Sequence, residues 1–297
     1  MTTDPITAWL NVIAPETGAS VAAAIEGLPL RPVYPIPAQE NERPYCAEWS
    51  IRSSERGIDI ARVMVSVNSD PCQPGQLNAT LNTIGGTSRI IRDVAEQLVS
   101  VRTDLDLLLG FALGESSPRA KLYVLCPAGQ SIDDFADLSC DILAAAGISP
   151  DWANQQVELA QQTPAFFAID LCSNGSANGK LYFSFSQTAD ADDLLRRLDA
   201  TPLRETLDRV HPHISNNPTG RLVVTTRAEA EETTDITLHT HLVDLPTLNP
   251  ALMTAWERLQ HTAARHGLPP LHWSYASWLW GPRPSESLYY TFVPPPA

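Results

Sequence analysis

The chain has 297 residues, of which 43% are hydrophobic, enough for a sizeable core in one large domain or two small ones. Its 20 Lys and Arg residues stand against 34 Asp and Glu, and the formal net charge of -14 argues against a general surface for nucleic acids or anionic membranes. The N-terminus lacks the pattern of a signal peptide, and no apolar run has the length of a membrane span, so we expect a cytoplasmic globular protein.

Hydrophobic periodicity predicts helices that are each followed by a pair of strands. A helix is expected at 19–27, then an extended segment with several prolines at 31–37, and then strands at 45–53 and 58–67. Helical signal covers 76–101. The elements expected after it are strands at 106–113 and 119–126; helices at 132–146 and 152–161; strands at 165–173 and 179–186; helices at 190–198 and 203–210; strands at 221–226 and 235–243; a helix at 250–265; and strands at 271–279 and 286–293.

This order predicts a single closed barrel of the α+β class. Sequential hairpins pair antiparallel, and no linker interrupts the repeated units, so about ten strands should close into one sheet with the helices outside. Residues 1–297 would form one domain, with 1–30 as a helical lead-in and 294–297 as a Pro-rich tail. A barrel of about ten strands is too wide for its own side chains to fill, so it should enclose a ligand cavity.

Cationic and aromatic side chains recur on the predicted strands. Lys121 and Tyr123 are two residues apart, as are Lys180 and Tyr182, so each pair should share one face of its strand. Arg62 lies on a similar strand, His239 and His241 share another, and Tyr289 and Tyr290 lie on the last. The residues expected to line the lumen are Arg62, Lys121, Tyr123, Lys180 and Tyr182.

The chemistry of this set suits a diphosphate. A guanidinium binds two oxygens at once, ammonium groups act as point charges and phenols donate hydrogen bonds. If the diphosphate leaves an allylic carbon, aromatic faces stabilise the developing cation and shield it from water. Glu48 could face the same lumen and accept the proton that the nucleophile loses, or it could serve only as an ion-pair partner of Arg52 or Arg62.

No metal or disulfide pattern is evident in the sequence. The cysteines are odd in number and lack C-x-x-C spacing, which favours small buried hydrophobes; they are Cys46, Cys72, Cys126, Cys140 and Cys172. His239 and His241 have no evident third ligand. Residues 133–137 form a D-D-x-x-D run, a motif that holds magnesium in all-helical isoprenoid synthases. Here it follows an N-cap-like Ser131, so its carboxylates are expected to favour the helix dipole.

Several segments together resemble a known family. Residues 32–37 resemble its tyrosine-proline approach to the first strand, and Cys46-Ala47-Glu48 with Arg62 resembles its glutamate and arginine at the same separation. The further segments are Lys121-Leu122-Tyr123, Lys180-Leu181-Tyr182-Phe183, Leu238-His239-Thr240-His241-Leu242 and Leu288-Tyr289-Tyr290. In this order they resemble the cyanobactin-type peptide prenyltransferases (the TruF, PatF and LynF group) of the ABBA, or αββα-barrel, prenyltransferase fold.

The resemblance implies transfer of a dimethylallyl or geranyl group from its diphosphate to a small, often cyclic, ribosomally made peptide. It implies that Glu48 orients or deprotonates the acceptor and that Arg62, Lys121, Lys180 and Tyr182 bind diphosphate. The residues that it places around the prenyl group and the allylic cation are Tyr123, Val224, His239, His241, Trp273 and Tyr290. It also implies a monomer that needs no tightly bound cofactor and uses magnesium, if at all, without an aspartate-rich motif.

Some alternatives stay open at this level. The acceptor could be a Tyr, Trp, Ser or Thr, His or Arg side chain or a terminus, because His239 and Ser184 depart from the residues found in some relatives. Val224 stands where some dimethylallyl-using relatives carry a bulky aromatic, so geranyl diphosphate remains open. The rival functions are a barrel of the same fold that acts on an aromatic small molecule and an inactive barrel that binds a peptide or a prenyl group.

Overall fold

The structure of the protein is a computed structural model that describes residues 5–25, 30–31, 47–55, 57–68, 89–100, 106–113, 120–125, 132–171, 176–214, 222–229, 232–241 and 248–292. Several sequence-level predictions lie outside these residues. They concern the segments 32–37 and 76–88, the tail at 294–297, Ser131, Leu242, Cys46, Cys72, Cys126 and Cys172. The described cysteine, Cys140, carries a free thiol.

The strands form one antiparallel sheet that closes on itself. They are β1 (Leu30–Arg31), β2 (Glu48–Ser54), β3 (Gly57–Asn68), β4 (Asp106–Ala112), β5 (Ala120–Leu125), β6 (Phe166–Leu171), β7 (Ala177–Phe185), β8 (Leu222–Glu229), β9 (Glu232–Thr240), β10 (Leu271–Trp280) and β11 (Ser285–Phe292). From β2 onward each strand pairs with the next, and β11 returns to pair with β2. The predicted barrel of ten antiparallel strands is therefore confirmed, and the short β1 adds to β3 beyond the end of β2.

Helices cover the outside of this barrel. They are α1 (Pro5–Ile13), α2 (Gly18–Ile25), α3 (Arg89–Ser100), α4 (Ile132–Ala145), α5 (Pro150–Ala160), α6 (Thr188–Arg197), α7 (Thr201–Val210) and α8 (Pro250–Arg265). The start of α8 shows side-chain capping. Asn249 accepts a hydrogen bond from the backbone N–H of Ala251 at 2.8 Å, and Pro250 occupies the first turn of α8. None of the helices in the described ranges is long and apolar enough to cross a membrane.

The two faces of the barrel wall have different environments. Outward side chains such as Trp49, Phe111 and Phe183 are fully buried against the helices and form the main hydrophobic core. The inner face has a smaller apolar cluster of its own, composed of Met64, Leu108, Tyr123, Phe166, Ala168, Tyr182 and Val223. Because residues alternate along each strand, the helices hold one half of every strand in place while the other half lines the lumen.

The alternation is interrupted where pairing shifts register. In the β10–β11 pair, Trp273 lies opposite Tyr290 and Tyr275 lies opposite Tyr289, so Ser274 is the extra residue of a β-bulge. Trp273 therefore does not share the face of Tyr275, although the two residues are only two apart. A second shift follows Ser50 in the β2–β3 pair, and Arg62 stays opposite Ser50 there. These irregularities decide which side chains enter the lumen.

Candidate active site

The barrel encloses a cavity of about 1290 Å³, and strands around its whole circumference contribute to the lining. Small-molecule sites commonly occupy about 300–1,000 Å³. The lumen therefore has room for two substrates side by side.

A cluster of charged side chains lies on one part of the lumen wall. Asp170 on β6 bridges two lysines, with Oδ2 at 3.2 Å from Lys180 Nζ and Oδ1 at 3.5 Å from Lys121 Nζ. Arg62 on β3 donates from Nη1 to Tyr123 Oη at 3.3 Å. Arg227 on β8 adds a further cation, paired with Asp235 on β9. Positive charge from four separate strands thus converges on one region that a polyanion could occupy.

Burial and mutual repulsion leave this cluster poised around neutral pH. Burial lowers the pKa of Lys121 to about 8 and that of Lys180 to about 7, although Asp170 acts in the opposite direction on both. Burial alone would raise the pKa of Asp170, but the surrounding cations, led by Lys121 and Lys180, hold it far below its ordinary value. Asp170 is therefore ionised at neutral pH, and a further anion bound beside the lysines would favour their charged forms.

Aromatic side chains form a belt next to the charged cluster. Tyr182 stacks on Phe166 at 4.0 Å between ring centroids, and Tyr275 stacks on Tyr289 at 4.3 Å. His239 lies between these two pairs, 6.0 Å from the Tyr182 ring and 6.1 Å from the Tyr289 ring. Such a belt presents several π-faces to one volume, which suits a transient carbocation.

Lysine and tyrosine are directly linked at the boundary between the charged cluster and the belt. Lys121 Nζ donates to Tyr182 Oη at 2.7 Å and lies 4.5 Å from the centroid of the Tyr123 ring. Burial raises the pKa of Tyr182 well above its ordinary value, so the phenol stays protonated and can still donate its own O–H. An anion held by the lysine would therefore lie against aromatic rings.

His239 is a neutral member of the belt. Its Nε2 lies 3.1 Å from Thr225 Oγ1, within hydrogen-bond distance. Burial lowers the pKa of His239 to about 3, and the nearby Lys121 and Lys180 act in the same direction. The imidazole thus contributes an uncharged ring at neutral pH and adds no positive charge beside a carbocation.

Glu48 provides a carboxylate on the other side of the belt. Tyr275 Oη donates to Glu48 Oε1 at 2.8 Å. Glu48 is buried at the start of β2, and the carboxylate joins burial in raising the pKa of Tyr275. The tyrosine fixes one carboxylate oxygen in position, which is the geometry that a general base needs.

Eight of the residues singled out in the sequence line this cavity together. They are Glu48, Arg62, Lys121, Tyr123, Lys180, Tyr182, His239 and His241. Hydrogen bonds join Arg62 to Tyr123 and Lys121 to Tyr182, each across two neighbouring hairpins. The chemical roles suggested for them stay predictions.

The other three residues lie on the outer face of the wall, and their predicted place in the lumen is wrong. Val224 is fully buried in the main core, because its neighbours Val223 and Thr225 take the inward positions. Tyr290 faces the helices and accepts a hydrogen bond from Trp9 Nε1 at 3.4 Å. Trp273 packs against the same outer core because the bulge at Ser274 reverses its side.

Four further residues of the site are not among those that the sequence points to. They are Asp170, Arg227, Tyr275 and Tyr289, and the first three make polar contacts in it. Tyr289 lies on the last predicted strand, but the resemblance selects its neighbour Tyr290 as the inward residue. The available signal for Asp170 was a lone acid inside an apolar strand, where a charge needs a partner. The available signal for Arg227 was a basic residue at one of the alternate positions of β8 that face the lumen. Tyr275 had no usable signal, because its strand is rich in aromatics and contains the bulge.

Metal-ligand chemistry is not evident in the part of the chain that the structure describes. No group of three or more His, Cys, Asp or Glu side chains lies close enough there to hold a metal ion. Asp134 and Asp137, from the D-D-x-x-D run, lie on α4, outside the barrel.

Comparison with solved structures places the barrel among known folds. The chain superposes on the prenyltransferase PriB, in a ternary complex with L-tryptophan and dimethylallyl thiolodiphosphate, with a TM-score of 0.62 and 18% identity, over 98% of this chain and 96% of that chain. Apo PriB gives a TM-score of 0.60 and 18% identity over 97% and 94% of the two chains. AnaPT from Neosartorya fischeri gives 0.55 and 14% over 83% and 78%.

The chain has the ABBA prenyltransferase fold. At these identities the likeness establishes the architecture alone, and the activity has to be argued from the site. No protein-family model and no curated protein matches the sequence.

Proposed function

We propose that the protein is a prenyltransferase that moves an isoprenyl group from its diphosphate to an aromatic small molecule. The observation that supports this proposal is the contact between a buried cationic cluster and an aromatic belt inside one lumen. A diphosphate needs the first feature and an allylic cation needs the second. The same architecture in PriB, whose ternary complex contains L-tryptophan and a dimethylallyl diphosphate analogue, supports an aromatic acceptor.

The donor half of the reaction uses the charged cluster. Arg62, Lys121 and Lys180 bind the diphosphate oxygens, and Tyr182 donates a further hydrogen bond. The bond between the allylic carbon and the diphosphate oxygen breaks, and the electron pair leaves with the diphosphate, whose growing charge the cations stabilise. The carbocation that remains faces the rings of Tyr123, His239 and Tyr289, which stabilise it and exclude water.

The acceptor half uses Glu48. A nucleophilic carbon or heteroatom of the acceptor attacks the allylic cation, so a new bond to the prenyl group forms. The acceptor then loses one proton, which the Glu48 carboxylate accepts. Tyr275 Oη holds that carboxylate in place by donating a hydrogen bond to Oε1 at 2.8 Å. The products are the prenylated acceptor, a protonated Glu48 that returns its proton to water, and diphosphate.

A peptide acceptor is the second candidate function. The resemblance of the strand segments to the cyanobactin-type enzymes suggests it, and the cavity of about 1290 Å³ favours it because a dimethylallyl diphosphate and a single indole would leave much of this space unfilled. The two candidates share the donor half of the reaction and differ in the acceptor.

The test is incubation with dimethylallyl or geranyl diphosphate and a panel of acceptors, namely L-tryptophan, L-tyrosine, simple indoles and cyclic peptides. Mass spectrometry should show the gain of one prenyl unit on an aromatic small molecule. Gain on the peptides alone would transfer the conclusion to the second candidate. If no acceptor is modified although diphosphate binds, the protein is a binding barrel and the proposed activity is wrong.

Glu48→Gln separates binding from turnover. The variant should bind inorganic pyrophosphate as the wild type does and lose prenyl transfer by roughly 10²- to 10⁴-fold, the usual contribution of a positioned general base. Glu158→Gln, an exposed position on α5, is the matched control and should keep full activity. Equal turnover in Glu48→Gln and wild type would remove Glu48 from the mechanism.

A further inference from the structure

Asp170 is an anion inside the region assigned to an anionic substrate. Its two carboxylate oxygens face different lysines, Oδ1 toward Lys121 and Oδ2 toward Lys180, at 3.5 and 3.2 Å. It lies on the inner face of β6 and lines the cavity. A diphosphate bound by the same lysines would lie within a few ångströms of this carboxylate, and like charges at that distance repel.

Before a diphosphate binds, Asp170 balances the positive charges around it. Without Asp170, two ammonium groups and the Arg62 guanidinium would face one another with little solvent around Lys121, which is only 3% exposed. Like charges held close together in a buried site lose protons or separate. A lysine that has lost its proton can no longer act as a cation for the incoming diphosphate.

We propose that Asp170 is a positioning residue that acts as the built-in counter-ion of the substrate-free site, favouring the charged forms of Lys121 and Lys180 and holding them toward a common point until the diphosphate replaces it. The proposal rests on the function proposed above. It assigns Asp170 a role in the readiness of the site and none in the chemical step.

The charges that face Asp170 come from four other strands. Lys121 on β5, Lys180 on β7, Arg62 on β3 and Arg227 on β8 all act on the carboxylate. The phenols of Tyr123 and Tyr182 also lie among these groups, and burial raises the pKa of each above its ordinary value. Four cations therefore act on Asp170, and a neutral replacement would leave them without this compensation.

Asp170 influences how many protons the two lysines hold. In the wild type Asp170 raises the pKa of Lys121 and of Lys180, against the lowering effect of burial, which leaves them at about 8 and about 7. Replacing Asp170 by a neutral residue removes that support, so both pKa values fall further and the two lysines together carry less positive charge at pH 7.5 than they do in the wild type. Pyrophosphate binding would then have to return the missing protons.

The experiment is isothermal titration calorimetry of inorganic pyrophosphate with wild type and Asp170→Asn, between pH 6 and pH 8.5, in pairs of buffers that differ in ionisation enthalpy. Asp170→Asn should take up more protons on binding at pH 7.5 than the wild type does. Its affinity should fall more steeply with pH, to at least roughly tenfold below wild type at pH 8.5, and should approach or exceed wild type at pH 6. The comparison at each pH cancels the protonation of pyrophosphate itself.

Two further variants complete the test. Asp170→Glu keeps the negative charge and should restore the proton uptake and pH slope of the wild type. Asp134→Asn, an exposed position on α4, should change neither. If Asp170→Asn does not fold, Asp170→Ser gives the same readout with a smaller polar side chain.

The other results are distinguishable. Tighter binding by Asp170→Asn at every pH, with unchanged proton uptake, would show that Asp170 only repels the ligand and would overturn the proposal. An equal loss at every pH would show a merely structural role and would overturn it as well. Failure of the wild type itself to bind pyrophosphate would instead contradict the proposed function of the site.

Discussion

Tyr289 and Tyr290 are neighbours in β11 whose side chains lie on opposite sides of the barrel wall. Tyr289 stacks on Tyr275 and lines the cavity. Tyr290 is fully buried under the helices, with its ring 5.6 Å from that of Trp256 and its hydroxyl bonded to Trp9. Tyr289 is therefore placed to contact ligands, whereas Tyr290 contributes to the stability of the fold.

The same substitution should lower activity at one of these positions and stability at the other. Tyr289→Leu removes a π-face from the lumen, so we expect kcat/KM for prenyl transfer to fall by roughly tenfold or more while stability changes little. Tyr290→Leu removes a ring and a hydrogen bond from the core, so we expect a loss of roughly 2–4 kcal/mol in the free energy of unfolding with unchanged turnover by the folded protein. Urea unfolding and steady-state kinetics measure the two quantities. The reverse pattern would mean that the faces of β11 have been assigned wrongly.

At this scale the sequence predicted pairs of residues better than single ones. Lys121 with Tyr123, and Lys180 with Tyr182, could be placed together because residues two apart share a face and the strands that hold them are regular. The face itself could not be derived for Val224, because the run Leu222-Val223-Val224 is apolar at successive positions and gives no contrast between the inner and outer faces. Trp273 failed for a different reason, since periodicity cannot register a bulge that lies between it and Tyr275.

At the scale of elements, the contact between α4 and β7 determines how closely a helix can approach the wall. Gly179 lies on the outward face of β7, between the inward residues Asn178 and Lys180. A Cβ atom built there would lie 3.0 Å from Leu143 Cδ2 on α4 and 3.1 Å from Ile148 Cγ1 and Cγ2. The glycine thus allows close packing directly behind the strand that presents Lys180.

Gly179→Ala should therefore push the helix and strand apart. We expect it to lower the free energy of unfolding by roughly 1–3 kcal/mol through overpacking. In the background of Leu143→Ala, which removes one of the crowded atoms, the added cost of Gly179→Ala should be smaller. Urea denaturation of the four proteins in this cycle gives the coupling energy. Strictly additive costs would show that the close approach is relieved by other movements.

The order of elements was accessible from periodicity, and its exceptions have identifiable physical causes. Each hairpin after a helix was found because strands and helices alternate with different hydrophobic periods. The helix α1 lies inside the predicted helical lead-in at 1–30, but the sequence did not delimit it as a separate helix, although Ile6, Trp9 and Ile13 have helical spacing. It is a short element whose stability comes from docking Trp9 onto the outer face of β11, a tertiary contact that local sequence does not show.

For the molecule as a whole, closure of the sheet and convergence of the site are linked. The strands β3, β5, β7 and β8 each contribute a cation to the same region, and the pairing of β3 with β4 and of β11 with β2 leaves no open edge in the ten-stranded ring. No strand can leave this ring without opening two pairings and moving part of the site. A ligand at the centre should therefore stabilise the entire barrel and not one portion of it.

Unfolding in urea, followed both by far-UV circular dichroism and by tryptophan fluorescence, tests this expectation. We expect one coincident transition, which inorganic pyrophosphate moves to higher urea by the same amount for both probes, because the ligand binds only where all four strands meet. At a free concentration about 100 times its Kd the gain should be about 2.7 kcal/mol. Sodium chloride at matched ionic strength is the control for general screening. Two separate transitions, or a shift seen by one probe alone, would show that the chain folds as more than one cooperative unit and that the cations belong to a part of it that can open independently.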